Sequence, residues 1–112
     1  MKRISFLLIV IILSLAFLSS CGKAESPSNV AEFLELGEKY LLEMDYEQAV
    51  IKFLKVIEIE PMNPRGYTGA AESYVGLNQL DNAISVLKDG AVVLPDNVEI
   101  STMIDEVQIK LD

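Results

Sequence analysis

Histidine and tryptophan are missing from these 112 residues, cysteine occurs once, and aromatics make up only 7% of the chain. Without histidine, neither a Ser-His-Asp nor a Cys-His nucleophile can be assembled. A single cysteine excludes a disulfide framework, and with no histidine beside it, zinc-finger spacing as well. Basic residues are the next scarcity: 9 Lys and Arg stand against 17 Asp and Glu. Lys2 and Arg3 lie at the start and every acid lies beyond residue 20, so Cys21–Asp112 carries 7 bases against 17 acids, a charge of −10. That balance excludes nucleic acid as a partner, because phosphate binding needs a basic surface. It also argues against a domain lying flat on anionic lipid. Of 57 apolar residues, 14 fall in the first 20 positions, leaving 43 of the other 92, about 47%. The later stretch therefore has an ordinary globular composition and the length of one small domain.

The apolar N-terminus is Ile4–Leu18, fifteen residues behind a Met1-Lys2-Arg3 head. As a helix it would span roughly 22 Å, short of the roughly 30 Å hydrocarbon core. A cationic head and a short apolar run are the pattern of an export signal. The following Leu18-Ser19-Ser20-Cys21 resembles the lipobox of bacterial lipoproteins, and the chain's one cysteine sits where that motif requires it. The resemblance implies cleavage after Ser20 and acylation of Cys21. It places the protein, lipid-anchored, at the extracytoplasmic face of the cell membrane, or at the outer membrane in a two-membrane cell. The competing reading is an uncleaved short anchor helix with an incidental Cys21. Gly22–Asn29 is a polar spacer, on the order of 15 Å long as a flexible coil.

Beyond it the chain repeats. A shift of 34 aligns Tyr40 with Tyr74, Ala49 with Ala83, Pro61 with Pro95, and Asn29 with Asn63 and Asn97. Each Asn stands where a helix should start, and Pro64 follows Asn63 at the first helical position, where a missing N–H costs nothing. Between these points the apolar spacing is helical and comes in pairs. Phe33, Leu36, Gly37, Tyr40 and Leu41 share a face over roughly 30–43; Tyr46, Ala49, Val50, Phe53, Val56 and Ile57 share one over roughly 46–59. Tyr67, Ala70, Ala71 and Tyr74, then Leu80, Ala83, Ile84, Leu87 and Ala91, repeat the arrangement. Gly66, Gly69, Gly76 and Gly90 each cost up to about 1 kcal/mol in a helix, so the second pair should be the weaker.

At these residues the chain resembles the tetratricopeptide repeat family: Phe33, Leu36-Gly37, Tyr40, Tyr46, Ala49, Phe53 and Pro61 fall at that family's spacings. The resemblance implies an all-α fold, a short α-solenoid of two helix-turn-helix repeats at 30–63 and 64–97. A capping helix at 98–112 follows, and a signal segment at 1–20 and a lipidated tether at 21–29 precede. Val56 stands where the family prefers Ala, which should push the helices slightly apart. In the last unit Ser101, Asp105 and Gln108 replace the packing residues, while Ile100, Met103, Ile104, Val107 and Leu111 keep one buried stripe, as a terminal cap requires.

In this family the first helix of each repeat lines a concave groove. Carried over, the groove residues are Leu34, Glu38, Leu41, Arg65, Thr68, Glu72, Val75 and Glu106, with the three glutamates as a ladder beside an apolar row. Leu34 and Glu38 occupy the opening positions of the basic clamp by which some members grip a C-terminal carboxylate, so that activity is not implied. Two readings of the row stand. It is either a solvated acidic face or a site for a basic-apolar protein or peptide segment. Catalysis is not expected, because the carboxylates have no burying pocket, nucleophile or oxyanion donor beside them. No cofactor or metal is implied, since Asp81-Asn82 and Asp96-Asn97 are too isolated for a calcium loop. Two functions remain: a lipid-anchored, non-enzymatic protein-interaction adaptor, or a structural subunit that self-associates or assembles edge-on.

Overall fold

The computed structural model describes residues 28–112, and all regular structure among them is helical. Five helices follow one another: α1 (Ser28–Leu42), α2 (Tyr46–Ile59), α3 (Pro64–Gly76), α4 (Leu80–Val93) and α5 (Val98–Leu111). Each packs on its neighbours in the chain, and α3 also touches both α1 and α5. Among the described residues α2 and α4 make no such contact, so the odd-numbered helices form the tighter row. None of the described helices is long and apolar enough to cross a membrane.

The 34-residue period is built into the backbone. Met44 N donates to Leu41 O and Asp45 N to Tyr40 O; 34 residues on, Asn78 N donates to Val75 O and Gln79 N to Tyr74 O. Both turns pivot on a left-handed residue, Met44 and Asn78, each at φ 58°. Asn tolerates that conformation; Met holds it at a cost. Asn63 and Asn97 cap their helices by accepting from Arg65 N at 3.1 Å and Ile100 N at 2.9 Å. Asn29 departs from this scheme: α1 begins at Ser28, so Asn29 lies inside the helix, and the expected tether loses its last two residues.

The core runs through Ala49, Phe53, Tyr67, Ala70, Ala71, Ala83, Ile84, Leu87, Ile100 and Val107. Its organising contact is the Phe53 ring, fully buried between two glycines. A Cβ at Gly37 would lie 2.8 Å from Phe53 Cζ, and one at Gly69 would lie 2.6 Å from the same atom. Gly76 lies equally close to the Tyr46 ring, and Gly90 to Tyr67. These glycines are therefore close-approach points at which aromatic rings rest on helix backbone, and not simply the weak spots that propensity alone suggests. The bulk of Val56, fully buried, is met by a glycine opposite: a Cβ at Gly66 would lie 3.2 Å from Val56 Cγ1.

In α5, Ile100 and Val107 are buried, and Met103 and Ile104 are half-buried. Leu111, expected on the buried stripe, is exposed in the last turn, where no further helix follows in the described chain to cover it.

Candidate functional site

The expected groove residues sit on the odd-numbered helices. Glu38 comes from the middle of α1, and Arg65, Thr68 and Glu72 from successive turns of α3. The Asn63 cap fixes where α3 starts and hence where Arg65 points. Arg65 and Glu72 are seven residues apart, two helical turns, so they share one face.

Arg65 joins the two glutamates across the helix pair. Its Nε donates to Glu38 Oε1 at 2.6 Å and its Nη2 to Glu38 Oε2 at 3.0 Å, a two-pronged bond. Its Nη1 donates to Glu72 Oε1 at 2.6 Å and to Thr68 Oγ1 at 3.1 Å. The guanidinium also lies 5.4 Å from the centroid of the Phe53 ring, within range of a cation–π attraction. Hydrogen bonding to Glu38 above all, opposed by desolvation and reinforced by Glu72, raises its pKa above the ordinary arginine value. The cation is permanent. Side-chain exposures of 31% for Arg65, 45% for Glu38 and 41% for Glu72 leave the cluster open to screening, so it aligns α1 and α3 more than it stabilises them.

The expected ladder of three open glutamates is thus altered. Glu38 and Glu72 are bridged by Arg65, while Glu106 on α5 is exposed and makes no ion pair or hydrogen bond among the described residues. Thr68 is fully buried and spends its hydroxyl oxygen on Arg65, which takes it out of reach of a ligand. Leu34, Leu41 and Val75 are half-buried against the core. They form a partly open apolar row, with Ile109 on α5 exposed to 75%.

Between α3 and α5 lies a cleft of about 190 Å³, lined by Glu72, Val75, Met103, Glu106, Val107 and Lys110. Four of these six, Glu72, Val75, Glu106 and Lys110, fall at positions that the resemblance in the sequence assigns to the groove. Met103 and Val107 were assigned wholly to the buried stripe, yet their edges form the cleft floor; the half-buried position of Met103 has no signal in spacing alone. Cys21 and the expected signal segment at 1–20 lie outside the described residues.

Two shallower hollows of about 360 and 350 Å³ sit at the turns around Pro61 and Pro95. They are one period apart and belong to the repeated turn. No protein-family model matches the chain, and no curated protein matches its sequence.

Proposed function

We propose that this chain is a lipid-anchored, non-enzymatic adaptor that holds a protein or peptide segment at the extracytoplasmic face of a bacterial cell membrane. Its binding module is a short α-solenoid of two tetratricopeptide-like repeats closed by a capping helix. The observation that carries this reading is the 34-residue repetition of the turns at Met44 and Asn78 and of the Asn63 and Asn97 caps, which has the period of the resemblance in the residues. Closer packing along α1, α3 and α5 than between α2 and α4 bends such a stack toward the odd-numbered helices, making their face concave. That face carries the apolar row of Leu34, Leu41 and Val75 together with Glu106. Anchoring rests on Leu18-Ser19-Ser20-Cys21: two acyl chains on Cys21 would hold the domain stably, where one would hold it marginally.

The alternative, a subunit that assembles edge-on, is disfavoured by the two ends. The α3 face that receives α2 is lined by Gly66, Gly69 and Gly76; the same positions of α1 hold Glu32, Glu35 and Leu42, all exposed. The α3 face with Tyr67, Ala71 and Tyr74 becomes Ser101, Asp105 and Gln108 on α5, also exposed. Large or polar residues at both ends suit a closed, finite stack.

Affinity capture from native membranes tests the proposal, comparing the wild-type chain with Glu106→Lys and Ile109→Ser. Reversing Glu38 or Glu72 would strand Arg65 and confuse a folding defect with lost binding. A partner whose capture falls with added salt and with both variants supports the adaptor. A chain that recovers only copies of itself supports the structural subunit.

A further inference from the structure

The gap between α1 and α3 is filled from within, by Arg65. Moving each member of that site forward by one period carries Glu38 to Glu72, Glu72 to Glu106, Thr68 to Thr102 and Arg65 to Glu99. The two carboxylates and the threonine recur; the cation does not. Between the second pair of carboxylates lies the cleft of about 190 Å³, floored by Val75, Met103 and Val107. Glu72 spends only Oε1 on Arg65, while Oε2 and both oxygens of Glu106 make no hydrogen bond among the described residues.

Resting on the adaptor reading of this face, we propose that the α3–α5 cleft is a receptor for one arginine side chain of a partner protein. Its volume suits a single long side chain, below the roughly 300 Å³ at which small-molecule pockets begin. The three apolar residues would pack the methylene stem and the two carboxylates would take the head. The protein itself displays this ligand chemistry one period earlier. There the planar fork offers Nε and Nη2 to one glutamate and Nη1 to the other, a division across two helices that a compact ammonium cannot reproduce. Lys110 stands on the rim, exposed and four residues beyond Glu106, and makes no ion pair there. Its positive charge at the rim opposes an incoming arginine.

The test titrates the full chain, in micelles of a neutral detergent, with acetyl-Ala-Arg-Ala-amide, and follows side-chain methyl signals by NMR. Methyls of Val75, Met103 and Val107 should shift while those of Val30 and Val50 stay still. The lysine peptide should bind more weakly, and the citrulline peptide should leave the spectrum unchanged. Glu106→Gln should weaken the arginine peptide about tenfold, and Lys110→Ala should strengthen it. Glu99→Arg is the sharpest variant, because it supplies the missing internal guanidinium: binding should vanish with the helical circular dichroism unchanged. Silent cleft methyls, binding indifferent to citrulline, or binding that survives Glu99→Arg would each overturn the proposal. A membrane partner captured through this face while the arginine peptide leaves the cleft silent overturns the arginine receptor and spares the adaptor. Arginine binding without any captured partner supports the cleft and counts against the adaptor.

Discussion

Adding one methyl group at Gly69 separates two accounts of the second helix pair. Helix propensity alone makes Gly69 a defect, and Gly69→Ala should then raise stability by about 1 kcal/mol. The packing predicts the opposite sign. The new Cβ would lie 2.6 Å from Phe53 Cζ and overlap other atoms of that ring. The ring cannot retreat, because Gly37 backs it on α1 and it is fully buried. Either Phe53 leaves its rotamer or α3 moves away from α2, and overpacking of this kind costs about 1–3 kcal/mol. A confined ring puts the cost at the upper end, so the net effect after the propensity gain is a loss of about 1–2 kcal/mol. In a domain of this size each 1 kcal/mol lowers Tm by about 4–8 °C. The assay is urea and thermal unfolding of a soluble form beginning at residue 21 with Cys21→Ser, followed by circular dichroism. Repeating it in a Phe53→Leu background should shrink the penalty by about 1 kcal/mol or more, since the two positions are in contact. A Gly69→Ala protein more stable than its parent would refute the ring-on-backbone account.

Three further outcomes are expected. Met44→Asn should raise stability by about 0.5–1 kcal/mol in the same unfolding assay, because Met44 holds a left-handed conformation that the repeat fills with Asn78 one period later. Burial first and the charge of Asp89 second push the Tyr67 phenol above its usual pKa of 10.0, while its hydroxyl donates to Pro61 O at 2.6 Å. The unfolded chain then releases this proton more readily, so Tyr67's contribution is complete below about pH 10 and falls as pH rises past it. Tyr67→Phe should cost about 1 kcal/mol at neutral pH and flatten that alkaline loss in urea midpoints taken between about pH 8 and 11. Finally, mass spectrometry should find acyl chains on Cys21, and Cys21→Ser should leave the membrane fraction; an unacylated wild-type chain would end the lipoprotein reading.

Much of the helical scaffold was legible in the sequence because its signals are local. The period places Pro61 and Pro95 after α2 and α4 and Asn63 and Asn97 before α3 and α5, and prolines and caps act within a turn of where they stand. The apolar spacing of Tyr46–Ile57 suffices to bound α2 and bury Ala49 and Phe53. Asn29 shows the limit: a good cap residue lies inside a helix when the chain upstream also takes helical form. The glycines were misjudged because propensity describes an isolated helix, whereas the Phe53 ring reaches Gly69 from another one. Arg65 was grouped with Glu38 and Glu72 from the sequence, but its joining of the two depends on side-chain reach between helices, with Arg65 and Glu38 27 residues apart in sequence. The seven-residue step to Glu72 was the one signal available. The α3–α5 cleft became visible only with the helices in place.

The most direct test of the adaptor account places a photo-crosslinking residue at single positions of the full chain in living cells. Val75 and Ile109 report on the odd-helix face, and Ser85 and Val92, both exposed on α4, report on the opposite helices. The account predicts one discrete crosslinked partner from positions 75 and 109, lost in Glu106→Lys, and none from 85 or 92. Partners recovered equally from both sets, or only from α4, would contradict it.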